Sequence, residues 1–176
     1  KTTAILVTHD HDEAFSMADH VAVLNRGRLE QFDTPEAIYH LPATPFVADF
    51  VGQADFISGI VDNQVVTTEL GDFPNTQKLA TGTKVVVMIR PDDMHIVPTK
   101  GANARIVARQ FKGSENLYTI RLASGQIVHS SESSLSIYQA GTAIALRVVA
   151  THTVLFPQSP ESAAEPVSHD GPASIP

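Results

Sequence analysis

The chain has 176 residues, a formal net charge of −7, 43% hydrophobic residues and no cysteine, which bounds it to one or two globular domains. Such a charge argues against a nucleic-acid partner, which requires a basic stripe, and the missing cysteines exclude a disulfide framework. No apolar run approaches the roughly 20 residues of a membrane-spanning helix, and the first residues lack a signal-peptide pattern, so a cytoplasmic protein is expected.

The first stretch, Thr2-Thr3-Ala4-Ile5-Leu6-Val7-Thr8-His9-Asp10, is short, apolar and β-branched and stops on a polar pair. It reads as a buried strand. His11 to Asp19 reads as a helix with acidic residues in its first turn, where the helix dipole favours them. In open α/β sheets ligands bind beyond the carboxyl ends of strands, so His9 stands where a ligand contact is expected. Val21 to Leu24 is a second strand, Asn25-Arg26-Gly27 a turn, and Arg28 to Asp33 the returning strand. Thr34-Pro35-Glu36 and Thr44-Pro45 each start a helix, with threonine as N-cap and proline at the first position. Phe46, Val47, Phe50 and Val51 recur at helical spacing and are expected to form one buried face, ended by Gly52. Residues 1–53 carry eight carboxylates against Lys1, Arg26 and Arg28, a net of −5, which is either a solvated surface or a face for a basic partner.

After Gly52-Gln53 the pattern changes to short strands near 55–61, 64–69, 84–90, 94–97, 103–111, 116–122, 126–131, 142–149 and 152–156. Turn residues separate them, including Asp62-Asn63, Gly71-Asp72, Lys100-Gly101, Lys112-Gly113 and Ala140-Gly141. This is the pattern of an all-β barrel or sandwich. The run from Val85 to Ile89 is apolar on both faces and is expected to be a central strand. Residues 157–176 turn to Pro, Ser, Ala and Glu and read as a disordered tail.

Eight histidines raise the question of a metal, but no cluster has zinc-ligand spacing. His95, His129 and His152 lie in or beside separate strands; they either converge or, as is commoner, are held singly by hydrogen bonds. Tyr118 and Tyr138 are candidates for iron or an anion. Ser130, Ser131, Ser133 and Ser134 form either an oxyanion cradle or a plain polar loop. Arg90 is expected to orient its turn through backbone carbonyls or Asp92.

The stretch ILVTHDHDEAFSMADHVAVLNRGRLEQFDTPEAIYHLPATPFVADFVG resembles the end of an ABC-transporter ATPase subunit of the kind that energises bacterial solute importers. Further on, Val87-Met88-Ile89-Arg90-Pro91-Asp92 resembles the V-x-[IL]-R-P-[ED] element of a TOBE regulatory domain, and Phe111 to Tyr118 resembles its next repeat. The resemblance implies a mainly β chain: an OB-like TOBE barrel over 54–156, preceded over 1–53 by the α/β end of an ATPase domain. It implies that His9 is the switch histidine, a catalytic group that contacts the γ-phosphate in the intact subunit. It implies ATP and Mg as cofactors there, and three kinds of partner: a second ATPase subunit in a homodimer, transmembrane permease subunits, and a periplasmic or extracellular solute-binding protein. The subunit would lie on the cytoplasmic face of the membrane, held through the permease, and the β domain would serve dimerisation and regulation. The segment Phe111 to Leu122 leans toward ferric iron as the solute, with polyamine, sugar or other importers as alternatives, and a stand-alone oxyanion- or metal-sensing β module as a reading of another class.

The chain opens on Lys1 and holds no G-x-x-x-x-G-K-[ST] loop, no L-S-G-G-Q and no apolar run ending in Asp-Glu before His9. It is therefore expected to begin inside a domain and, by itself, to bind no cofactor and hydrolyse no ATP.

Overall fold

A computed structural model describes residues 2–97, 102–149 and 153–158 and shows a mainly β chain. The helical part comes first. Helix α1 (His11–Met17) is capped by the Asp10 side chain, which accepts from the Glu13 amide at 3.0 Å. Strands β1 (Val21–Asn25) and β2 (Arg28–Asp33) pair antiparallel through Arg26 and Gly27, both at positive φ, as a two-residue hairpin turn requires. Thr34 and Thr44 cap α2 (Pro35–His40) and α3 (Pro45–Val51). Val23, Ile38, Val47 and Val51 close a small core, with Phe15, Val21 and Tyr39 against it.

Two expectations fail here. Residues 2–9 form no strand, and Ile5 and Val7 are 91% and 92% exposed. A strand is stable only when neighbours pair its backbone and cover its faces, and none of the described segments does either for this one. The apolar face of α3 also splits. Val47, Ala48 and Val51 are buried, whereas Phe46 and Phe50 are exposed and stack on each other at 5.5 Å, with the His11 ring edge-on to Phe50 at 4.8 Å. The small Ala48 lets α3 lie close against the β region, and this sets which face turns inward.

All ladders in the remainder are antiparallel. Strands β3 (Asp55–Asp62), β4 (Val65–Thr68), β5 (Gly71–Pro74), β6 (Lys84–Ile89) and β12 (Val154–Pro157) make one sheet in the order β12-β6-β3-β4-β5. Strands β7 (Met94–Val97), β8 (Ala104–Phe111), β9 (Glu115–Leu122), β10 (Ile127–Ser133) and β11 (Ala143–Val148) make the other, ordered β10-β9-β8-β11-β7. The end strands β10 and β7 of this second sheet are drawn together by side chains. Ser130 Oγ donates to the Met94 carbonyl, and the Ile96 amide donates to Glu132 Oε1 at 2.7 Å. The sheet thereby curls into a barrel, with the first sheet beside it and one core shared between them.

Strand β6 is interior, as its two-sided pattern predicts: Val85, Val87 and Ile89 enter the main core, and Val86 and Met88 face α3. Strand β5 was not anticipated, because Gly71-Asp72 reads as a turn. It is an edge strand, where a terminal proline is tolerated. Gln158 still donates its amide to the Lys84 carbonyl at 2.9 Å, so residues 157 and 158 continue the sheet. The rest of the tail, the Lys100-Gly101 turn and His152 lie outside the described residues.

Gly59 sits in β3 opposite Thr68 and Val85. A Cβ there would fall 2.6 Å from Val66 Cγ1 and 2.9 Å from Thr68 Cγ2. Gly59→Ala is expected to lower stability by about 1–3 kcal/mol through overpacking. A urea titration checks this, with a lower midpoint at unchanged slope.

Candidate functional site

The most constrained polar group lies where the helical part meets the β region. Strand β6 ends at Ile89, and the tight 3-10 turn Pro91–Asp93 follows at once. Arg90 between them cannot follow the strand outward, and its side chain runs back under α2 and α3, where it is 3% exposed. Nη1 donates to the carbonyls of Ala48, Gly52 and Gln53 at 2.9, 2.6 and 3.0 Å, and Nη2 donates to that of Tyr39 at 3.0 Å. The Tyr39 ring lies 4.3 Å from the guanidinium carbon. The acceptors include the last turn of α3 and its cap, which carry the negative end of the helix dipole. A Cβ on Gly52 would come 3.2 Å from the Tyr39 ring and 3.4 Å from Nη1, a tight contact that Tyr39 would relieve by shifting a few tenths of an ångström. Arg90 Nε is buried without a partner. Burial lowers the Arg90 pKa and raises that of Tyr39, the latter reinforced by Asp92.

Arg90 thus acts through backbone carbonyls, as expected, although those carbonyls belong to α2 and α3 rather than to its own turn. Tyr39 was missed. Its ring covers a cation held more than fifty positions away, and no local pattern announces that pairing.

His9 is exposed in the extended segment before α1, and the N-terminal cap of that helix is already filled by Asp10. The two described histidines of the β region are held singly. His129 lies 3.0 Å from Asp55 and donates its amide to the same carboxylate at 2.6 Å, joining the two sheets, and His95 lies 3.9 Å from Glu132. Among the described residues no group of three or more His, Cys, Asp or Glu is placed to hold a metal ion. Tyr118 donates its hydroxyl to the Ser136 carbonyl at 2.7 Å and accepts from the Tyr138 amide at 3.0 Å, which commits it to the fold. The serine cluster is turned to internal partners as well. Ser130 binds Met94, Ser131 binds Glu115, and Ser133 accepts from Leu135 at 3.4 Å. Ser130, Ser131 and Ser133 stand in strand β10 rather than in a loop, and the segment that follows is anchored by Asn116, unanticipated: Nδ2 donates to the carbonyls of Ser133, Ser134 and Ser136.

Two outcomes follow from the Arg90 geometry. Arg90→Met takes the donor from four carbonyls, one buried and three partly buried, and should cost on the order of 3 kcal/mol in a denaturant titration. Arg90→Lys should not restore this, because an ammonium cannot reach both helices and stack on Tyr39. Tyr39 is stabilised as the neutral phenol, with a folded pKa above the ordinary 10.0. Its contribution is whole below about pH 10 and declines as the pH rises through and beyond that value, since the unfolded chain then ionises first. Tyr39→Phe should flatten this alkaline loss of stability in melts run between about pH 9 and 11.

Residues 87–156 match the TOBE domain family. The sulfate/thiosulfate import ATP-binding protein CysA of Xanthomonas campestris is 34% identical over 88% of this chain and 45% of its own length. The spermidine/putrescine import ATP-binding protein PotA of Marinobacter nauticus is 32% identical over 93% of this chain and 48% of its own. The Fe(3+) ions import ATP-binding protein FbpC 1 of Rhodococcus jostii is 40% identical over 68% of this chain and 35% of its own. The chain spans about half the length, or less, of these curated relatives. Among solved structures, the cytoplasmic molybdate-binding protein ModG is similar with a TM-score of 0.49 and 11% identity, over 57% of this chain and 94% of that one; so slight a likeness assigns no ligand. Over residues 87–156 the chain is similar to TOBE domains, and over most of its length it is similar to the ATP-binding subunits of ABC importers.

Proposed function

We propose that this chain is part of the ATP-hydrolysing subunit of an ABC importer, with residues 1–53 from the end of the ATPase domain and 54–156 forming the regulatory β domain. The observation that carries this reading is the extent of the similarity. A match over 88% of the chain includes both the α2–α3 pair and the β sheets, so the two halves occur together in the relatives. The Arg90 contacts give that arrangement a physical basis, since they fasten the one half to the other.

In the intact subunit His9 is the switch histidine and meets the γ-phosphate of Mg-ATP. The residues present do not by themselves fit the nucleotide. They include no phosphate loop to wrap the phosphates with backbone amides, and His9 stands exposed on an unpaired segment. Taken alone, the 176 residues are proposed to hydrolyse no ATP. The subunit pairs with a second copy, works with permease subunits and an external solute-binding protein, and sits against the cytoplasmic face of the membrane through the permease. No helix among the described residues is long and apolar enough to cross a membrane, which accords with attachment through a partner. The β domain serves dimerisation and regulation. For the solute we favour ferric iron, on the segment Phe111 to Leu122. Relatives named for sulfate and for polyamines make those the competing solutes.

In the full-length subunit, His9→Ala should leave nucleotide binding within about twofold while steady-state hydrolysis falls at least about a hundredfold. Normal turnover would remove His9 from the catalytic centre. Uptake of labelled iron, sulfate and spermidine by cells lacking the subunit decides the solute: loss of iron uptake alone supports the proposal, and loss of either other solute replaces it.

A further inference from the structure

Strand β8 is paired on one side along its whole length and on the other only at its start. Its partner β11 meets it at Arg105 and Ala104, and the last bonds across that side join Ile106 to Thr142 and Gly141. Beyond a bulge at Val107, residues 107–111 are all exposed, and no other described strand pairs with them there. The Lys112 amide donates to the Glu115 carbonyl, so by alternation Ala108 and Gln110 also turn their backbone groups toward β9. The amides and carbonyls of Arg109 and Phe111 are therefore turned to the open side.

The side chains at this edge are unusual for the molecule. Residues 104–122 carry Arg105, Arg109, Lys112 and Arg121 against the single carboxylate of Glu115, in a chain whose net charge is −7. Arg109 and Phe111 lie opposite Tyr118 and Asn116, and so share the face on which those residues hold the loop 133–138. That loop is fastened by four hydrogen bonds from Asn116 and Tyr118, and by the Ser134 amide to the Ser114 carbonyl at 3.1 Å. Held in this way, it turns Leu135 and Ile137 outward at 89% and 68% exposure, with Phe111 beside it at 66%. Apolar side chains on a loop tied down so firmly form a fixed surface.

We propose that the open edge of β8 is a strand-addition site for an extended, acidic segment of a partner protein. Such a segment would take ladder hydrogen bonds from Arg109 and Phe111, place carboxylates against Arg109 and Lys112, and lay apolar residues on Phe111, Leu135 and Ile137. A second copy of the chain is a poor occupant, because two β8 edges brought together would oppose their own cations. The site is independent of any nucleotide and of the solute.

The test uses the 176-residue chain and two acetylated eight-residue peptides; because Arg109 and Phe111 share one face and Lys112 lies on the other, one peptide repeats Glu-Thr-Val-Glu and the second has lysine in place of each glutamate. The glutamate peptide should slow amide exchange at Arg109 and Phe111 at least tenfold at saturation, and the lysine peptide should not bind. Arg109→Glu and, separately, Lys112→Glu should each weaken the glutamate peptide at least tenfold; both positions are exposed, so folding is spared. Equal binding of the two peptides, or no protection by either, overturns the proposal. Protection that appears with rising protein concentration and no peptide overturns it too, by making a second copy the occupant.

Discussion

The arrangement of this chain depends on a buried guanidinium. Taking Arg90 out of water is costly, and the cost is offset by carbonyl dipoles from two helices and by an aromatic face. Each of these groups has needs of its own. The carbonyls at the end of α3 have lost their helical donors, and a side chain on Gly52 would press on the Tyr39 ring that covers the cation. One residue therefore settles how α3 ends, how α2 lies against it and how β6 leaves its sheet. The hydrophobic contact between Ala48 and Met88, Val154 and Phe156 adds area to the same joint, and the hydrogen bonds give it a direction.

Strand β6 serves two cores at once. One of its faces supplies Val85, Val87 and Ile89 to the main core, and the other supplies Val86 and Met88 to the contact with α3. The two sheets are also tied by polar groups: Asp55 at the start of β3 grips His129 on β10, and Gln126 donates to the Phe56 carbonyl at 2.8 Å. The β region and the helix pair are in consequence one packed assembly, although composition changes sharply at Gly52-Gln53. A break in residue pattern marks where the secondary structure changes class, and the packing runs across it.

What the sequence allowed was set by the range of the interactions. Threonine caps, the Arg26-Gly27 turn, the alternation in β6 and the mainly β class are local signals, and each is found in the structure. Strand β5 was hidden because its glycine and proline carry turn character, and an edge position makes that character harmless. The segment Thr2–Asp10 has the composition of a strand but no neighbours to pair with among the described residues, so composition alone misleads there. Arg90 was visible as a residue with a backbone task, whereas Tyr39, Asn116 and Asp55 were not. Their partners come from remote stretches of chain and are brought to them by the folded topology.

The closure of the barrel carries a mechanical consequence. Every other junction between neighbouring strands is a ladder of backbone bonds, in which parting two strands breaks several bonds together. Between β7 and β10 the described contacts run through the Ser130 hydroxyl and the Glu132 carboxylate. A side chain can change rotamer and release its partner while the strands on either side remain fully paired. The barrel thus has a seam, and a motion that widens it leaves the four backbone junctions of that sheet whole. Because β7 follows directly on Arg90 and its turn, the seam and the helix joint are separated by little more than the three residues of that turn.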